Sequence, residues 1–187
     1  MNRLLRLLLS FAICAASAAV AAADPSGAAP RSSLPPPKLA VLDVELSGDP
    51  GGPELVAEHE ARLRLASARL RADLGGTGLY QLVGIAPAQT LIDRLKSEQR
   101  YLHDCNGCDL EVGRQLGADQ VLVAWVNRVS GLILTFNYEI HDVATAQIAA
   151  RKSFDFRGDN DTAWTHAIGY MVRDLKEGAA GSVAAKP

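Results

Sequence analysis

Residues 121–141, VLVAWVNRVSGLILTFNYEIH, decide the fold. The first six residues are apolar without interruption, which is typical of a central strand that is covered on both faces. From Leu132 to His141 apolar and polar side chains alternate, which predicts a second strand with one buried face and one face in water. A turn at 142–146 then predicts a third strand, 147–156, so that the three strands form an antiparallel meander.

Strand and helix patterns alternate in the half of the chain that precedes this meander. Apolar, β-branched runs at 38–45 and 79–83 predict two strands. Apolar residues at helical spacing, with proline near the starts and glycine near the ends, predict three helices at 53–74, 87–97 and 110–116. Strands that are separated by helices pair in parallel, so this half predicts crossover connections.

The last helix is predicted by four apolar residues at helical spacing, Trp164, Ile168, Met171 and Leu175, with Asp161 as its N-cap. The complete order of elements is then β-α-β-α-α-β-β-β-α. This order predicts an α/β fold: a single domain with a mixed five-stranded sheet packed with helices.

The first 23 residues have the three-part layout of a secretory signal peptide. Arg3 and Arg6 precede an apolar stretch, and an alanine-rich end leads to Asp24. We expect cleavage near Ala23 and export to the periplasm. Lipid anchoring through Cys14 is disfavoured because the large Ile13 precedes that cysteine, and no later stretch is apolar enough to span a membrane.

Removal of the signal peptide leaves a proline-rich linker at 24–37, a single α/β domain at 38–177 and a flexible tail at 178–187. The whole chain has 187 residues and a formal charge of −2; without Arg3 and Arg6, 17 basic residues face 21 acidic ones, which gives −4. Nucleic-acid binding needs clustered lysine and arginine, which this mildly acidic sequence lacks.

Four segments carry a resemblance to a known family: PKLAVLD at 37–43, GTGLY at 76–80, LGAD at 116–119 and RGDNDTAW at 157–164. With them the chain resembles an uncharacterised family of periplasmic proteins from Proteobacteria. More distantly it is similar to the amino-terminal domain of TolB, the curli secretion lipoprotein and the penicillin-binding-protein activators.

The resemblance implies a binding or assembly module rather than an enzyme. Its partner would be another periplasmic or envelope protein, with a small ligand as a further possibility and no cofactor. The family also implies a link to periplasmic quinoprotein oxidation systems. No motif of a hydrolase or transferase contradicts this, so we assign no catalytic residue.

Cys105 and Cys108 are the two cysteines that remain after export, and they form a C-x-x-C motif before a predicted helix. In an oxidising compartment a disulfide between them is the default. Closing so short a loop stabilises the fold by only about 2 kcal/mol, so the bridge would act as a local clamp. Because a helix start also lowers the pKa of a thiol in disulfide oxidoreductases, a thiol-redox function remains the alternative.

Metal handling is a further alternative at the same loop. His103, Asp104, Cys105 and Cys108 place four possible ligands within six residues. Zinc sites usually take their other ligands from a second segment, and the remaining histidines are scattered along the chain. Covalent haem attachment is excluded because residue 109 is Asp where the motif requires His.

Overall fold

The computed structural model describes residues 35–184, with side chains up to residue 179. The predicted signal peptide, its cleavage site, Cys14 and most of the predicted linker lie outside the described residues. Residues 35–37 have no regular secondary structure. In the described part of the chain, every helix is too short or too polar to cross a lipid bilayer.

The strands and helices follow the predicted order, except that the strand predicted at 38–45 ends at Val41 and an additional short strand begins at Glu45. The strands are β1 (Lys38–Val41), β2 (Glu45–Gly48), β3 (Gln81–Val83), β4 (Gln120–Arg128), β5 (Ile133–Asp142) and β6 (Ile148–Arg157). The helices are α1 (Val56–Gly75), α2 (Gln89–Glu98), α3 (Cys108–Leu116) and α4 (Asp161–Ala184), and single 3₁₀ turns precede α1 and α2.

The sheet has the order β3-β1-β4-β5-β6, and β2 pairs with the distal half of β4. β1 pairs in parallel with β3 and with β4, and β2 pairs in parallel with β4. β4, β5 and β6 form the antiparallel meander. The predicted α/β fold with a mixed sheet is therefore confirmed, but the sheet has six strands instead of five. Between β1 and β2 the chain leaves the sheet for a few residues. There the Val44 N–H donates to Ser67 Oγ on α1, at 2.9 Å, instead of to a neighbouring strand.

Helices cover the central part of the sheet on both faces. Leu122 and Val126 of β4 point into a core with α1 and α4, which contains Leu70, Phe136, Trp164 and Ile168. Val121 and Val123 point into a second core with α2 and α3, which contains Leu91, Ile92 and Val112. The prediction that β4 is a central strand with both faces covered is thus confirmed.

Two boundaries of α4 differ from the prediction. The residue that caps the helix is Asn160, whose Oδ1 accepts the Ala163 N–H at 3.0 Å, while Asp161 turns towards Arg62. At the other end, the predicted tail at 178–187 continues as helix to Ala184. Alanine is the best helix former, so the glycines within this segment do not end the helix.

Candidate functional site

A cleft of about 300 Å³ lies where the start of α3 meets the polar face of β5. Its lining includes Cys105, Asn106, Asp109, Glu139 and His141. Helices α2 and α3 cover β1 and β4 on this side of the sheet, and β5 lies beyond them. The wet face predicted for β5 therefore forms one wall of the cleft.

The C-x-x-C motif forms the rim of this cleft. The Sγ atoms of Cys105 and Cys108 lie at bonding distance, with Cα atoms 5.6 Å apart, which is the spacing of a disulfide. Gly107 between them has a φ of +93°, a left-handed conformation that glycine adopts without strain, and α3 begins at Cys108. Cys108 is buried in the second core, whereas Cys105 is half-buried and lines the cleft.

His141 is held between two carboxylates in the cleft. Its Nδ1 lies 2.5 Å from Asp109 Oδ2, and its Nε2 lies 3.0 Å from Glu139 Oε2. Asp109 is buried at the second position of α3, and Glu139 also accepts a bond of 2.8 Å from Arg151 Nε. Both ring nitrogens therefore have a carboxylate partner within the protein.

His103 also lines the cleft and is anchored by Glu45 at the start of β2. Its Nδ1 lies 2.5 Å from Glu45 Oε2, and the backbone N–H groups of Leu102 and His103 donate to the same carboxylate at 2.8 and 3.1 Å. Burial by itself would raise the pKa of Glu45, but the hydrogen bonds from His103 and from the two backbone groups lower it below its ordinary value. The imidazole stacks on Trp125, with ring centroids 4.3 Å apart. The loop before the bridge is thus fixed to β2 and β4.

The four metal candidates do not converge on one point. His103 faces Glu45 and Trp125, Asp104 is exposed, and the sulfurs of Cys105 and Cys108 face each other. Across residues 35–184, no three His, Cys, Asp or Glu side chains are grouped so that they could hold a metal ion.

The sequence singled out the cysteine pair that forms the rim of the cleft but not the other polar groups of the cleft. Alternation along β5 puts Glu139 and His141 on one face, so their proximity could have been predicted. Nothing local indicates that Asp109, 32 residues earlier, would meet His141. Likewise, no sequence pattern pairs Glu45 with His103, which lies 58 residues later.

A second polar cluster, the Asp159 cluster, lies at the far end of β4 and consists of Asp159, His59, Arg62, Arg128 and Trp164. Asp159 is nearly buried and accepts bonds from Arg62 Nη1 at 2.8 Å, Arg128 Nε at 2.6 Å and Trp164 Nε1 at 3.2 Å. His59 Nε2 lies 2.9 Å from the same carboxylate. Burial would raise the pKa of Asp159, but the bonds from His59 and Arg128 lower it below its ordinary value. Side chains from α1, β4 and α4 and from the loop before α4 meet at this nearly buried carboxylate, so the cluster joins these parts of the fold.

The solved structures to which this chain is similar have low sequence identity to it. The C-terminal domain of LpoB from Salmonella enterica is 16% identical, with a TM-score of 0.45, and the match covers 67% of this chain and 85% of that domain. PelC from Paraburkholderia phytofirmans, a dodecamer, is 13% identical with a TM-score of 0.45, over 75% of this chain and 84% of PelC.

A third similar structure is lipoprotein GNA1162 from Neisseria meningitidis, which is 15% identical with a TM-score of 0.43, over 76% of this chain and 99% of that one. Among curated proteins, none matches this sequence. The family model described as "Protein of unknown function (DUF2380)" matches residues 37–175, and the chain therefore belongs to this family, as its four sequence motifs predicted.

Proposed function

We propose that the chain is an exported periplasmic accessory protein, and that it acts by holding an envelope partner protein in the cleft beside the Cys105–Cys108 bridge rather than by catalysing a reaction. The observation that carries this proposal is that the polar groups of the cleft already have bonding partners within the protein. Both nitrogens of His141 face carboxylates, and the two sulfurs face each other. Groups that already have partners within the protein favour binding over general acid-base or nucleophilic catalysis in this cleft.

The size and lining of the cleft favour a protein segment over a small ligand. At about 300 Å³ the cleft is at the lower limit of ligand pockets, which span about 300–1,000 Å³. Leu110, Ile148 and Ala146 add apolar surface next to the polar groups, which suits a side chain presented by a loop of a partner. The quinoprotein oxidation systems implied by the sequence resemblance are the partners that we propose to test first.

A photo-crosslinking amino acid at position 106 tests this proposal in the periplasm. Asn106 is exposed and lines the cleft, whereas Glu60 is exposed on α1, on the opposite side of the sheet, and is the matched control. We expect a discrete cross-linked envelope protein from position 106 and none from position 60. Equal products at both positions, or none at either, would refute binding in the cleft.

Export is tested separately by fractionation and by sequencing of the mature amino terminus. We expect the protein in the periplasmic fraction with Asp24 as its first residue. Retention of the whole chain in the cytoplasm would refute the location, whatever the cleft binds.

Thiol-disulfide exchange is the second candidate, because Cys105 lines the cleft and Cys108 is the first residue of α3. A thiolate of a partner would attack Cys105 Sγ and form a mixed disulfide. The Cys105–Cys108 bond would break, and its electron pair would leave on Cys108 as a thiolate at the helix amino terminus. The buried carboxylate of Asp109 next to Cys108 opposes this charge.

Replacement of both cysteines by serine separates the two functions. If the protein acts by binding, Cys105→Ser/Cys108→Ser keeps its cross-link from position 106 and its function in cells. If it acts by exchange, the double variant is inactive although it folds. In Cys108→Ser the free Cys105 thiolate attacks a disulfide of the partner, which releases one partner thiolate, and the mixed disulfide persists because no second thiol in the protein resolves it.

A further inference from the structure

Strand β6 ends the sheet, and no other strand pairs with its outer edge among residues 35–184. The Gly158 N–H donates to Leu132 O at 3.1 Å at one end of the β5–β6 ladder. Because bonded and non-bonded pairs alternate in an antiparallel ladder, the even-numbered residues 150–156 bond β5. The odd-numbered residues, 149–157, direct their N–H and C=O groups outwards.

The charges on these outward-directed residues suit antiparallel pairing with a second copy of the same strand. β6 carries Arg151, Ser153 and Asp155 in succession on its exposed face. A two-fold axis through Ser153 would place Arg151 of each copy opposite Asp155 of the other. Axes through Arg151 or Asp155 would instead place like charges directly opposite each other, which is unfavourable.

Both charged groups retain bonding capacity for a second copy. Arg151 uses Nε for Glu139, which leaves its terminal nitrogens available for a carboxylate. Asp155 accepts from Thr135 through Oδ1 only. An inward-pointing charge on an edge strand usually prevents pairing, but Lys152 is neutralised by an ion pair with Asp174.

The same register places the phenylalanines of β6 opposite aliphatic groups on the other face of the strand. Phe156 of one copy would lie opposite Ala150 of the other, and Phe154 opposite the aliphatic part of Lys152. A groove of about 610 Å³ runs along this edge between β6 and α4, and it includes Phe154, Phe156 and Tyr170. Tyr170 is 43% exposed, so a second copy would cover apolar surface as well as pair backbone groups.

We propose that β6 is a homodimer interface, in which two copies pair antiparallel about a two-fold axis at Ser153 and form one continuous sheet. We choose a second copy as the occupant of this edge because two antiparallel copies of β6 place Arg151 of each copy opposite Asp155 of the other. This inference does not depend on the cleft or on its partner.

Charge exchange tests the proposed register on the protein purified from the periplasm. Arg151→Glu and Asp155→Lys each create two like-charge pairs across the axis, and we expect the dissociation constant of the dimer to rise roughly tenfold. The double variant Arg151→Glu/Asp155→Lys restores opposite charges, so we expect it to dimerise like the wild type in analytical ultracentrifugation. The two positions are about 13 Å apart along one strand, so rescue within a single copy is not expected.

Cysteine cross-linking gives an independent measurement. In Ser153→Cys the two introduced residues face each other with Cα atoms about 5.5 Å apart, which suits a disulfide. The control Ala149→Cys places the two cysteines about 26 Å apart along the strands. We expect a reducible dimer from position 153 alone. A monomer at every concentration, a double variant that fails to dimerise, or equal cross-linking at both positions would overturn the proposal.

Discussion

Replacement of Asp159 by asparagine tests whether the Asp159 cluster holds the fold together. The substitution keeps the shape of the side chain but removes the negative charge that Arg62 and Arg128 share, and these side chains are only 3% and 8% exposed. Removal of one partner from a buried ion pair costs about 3–5 kcal/mol, because the remaining charge is left uncompensated. Arg62 still has Glu58 and Asp161, and Arg128 still has Asp49. We therefore expect a loss near the lower limit, about 3 kcal/mol at pH 7.

The free energy of unfolding is measured by urea denaturation, with tryptophan fluorescence as the signal because Trp164 donates to Asp159. Asp104→Asn is the matched control, since Asp104 is exposed, and we expect a change within about 0.5 kcal/mol. A loss below about 1 kcal/mol in Asp159→Asn would show that the arginines do not depend on this carboxylate.

The pH dependence of the same pair of proteins gives a second criterion. The pKa of Asp159 is lower in the folded protein than its ordinary value, so the folded state favours the carboxylate. Its stabilisation is complete above the ordinary aspartate pKa of about 3.9 and is lost as the pH falls through the folded value. The difference between wild type and Asp159→Asn should therefore be constant at neutral pH and shrink below about pH 4. A difference that grows as the pH falls below about 4 would contradict this assignment.

Three further substitutions address single contacts. Cys105→Ser/Cys108→Ser should lower the free energy of unfolding by at most about 2 kcal/mol in urea denaturation, because the closed loop is short; a protein that fails to fold would show that the bridge is more than a local clamp. Asn160→Ala should cost about 1 kcal/mol because it removes the N-cap of α4, whereas Asp161→Ala should leave the helix start unchanged by circular dichroism. Glu45→Gln should cost about 1.5–3 kcal/mol by removing the charged acceptor of His103 and two backbone N–H groups, and this loss should shrink as the pH falls through the lowered pKa of Glu45.

The fold was predictable wherever one element carries its own pattern. Val121 and Val123 alternate with Leu122 and Ala124 between two cores, and an uninterrupted apolar run is what such a strand requires. The break between β1 and β2 was not predictable, because it depends on a bond from Val44 to Ser67, which lies 23 residues later on another element.

The candidate site was predictable only in part, for the same reason. The C-x-x-C motif is local, so its position before α3 follows from the sequence. The partners of His141 and of Asp159 come from other elements, and ion pairs leave no periodic trace in a sequence. Asp161 illustrates the limit: its type and position suit an N-cap, but Arg62 provides a charged partner and Asn160 takes the cap.

The two proposed interfaces meet at the start of β6. In the register centred on Ser153, Ile148 of one copy lies opposite Gly158 of the other, and Ile148 also lines the cleft. A protein segment in the cleft would therefore lie close to both copies. We expect Asp155→Lys, which leaves the contact of Arg151 with Glu139 in the cleft in place, to weaken the cross-link from position 106 as well as the dimer. A substitution of Asn106 should leave the dimer intact, because Asn106 lies on the loop before α3 and not on β6. If Asp155→Lys dissociates the dimer while the cross-link from position 106 persists unchanged, each copy binds its partner on its own.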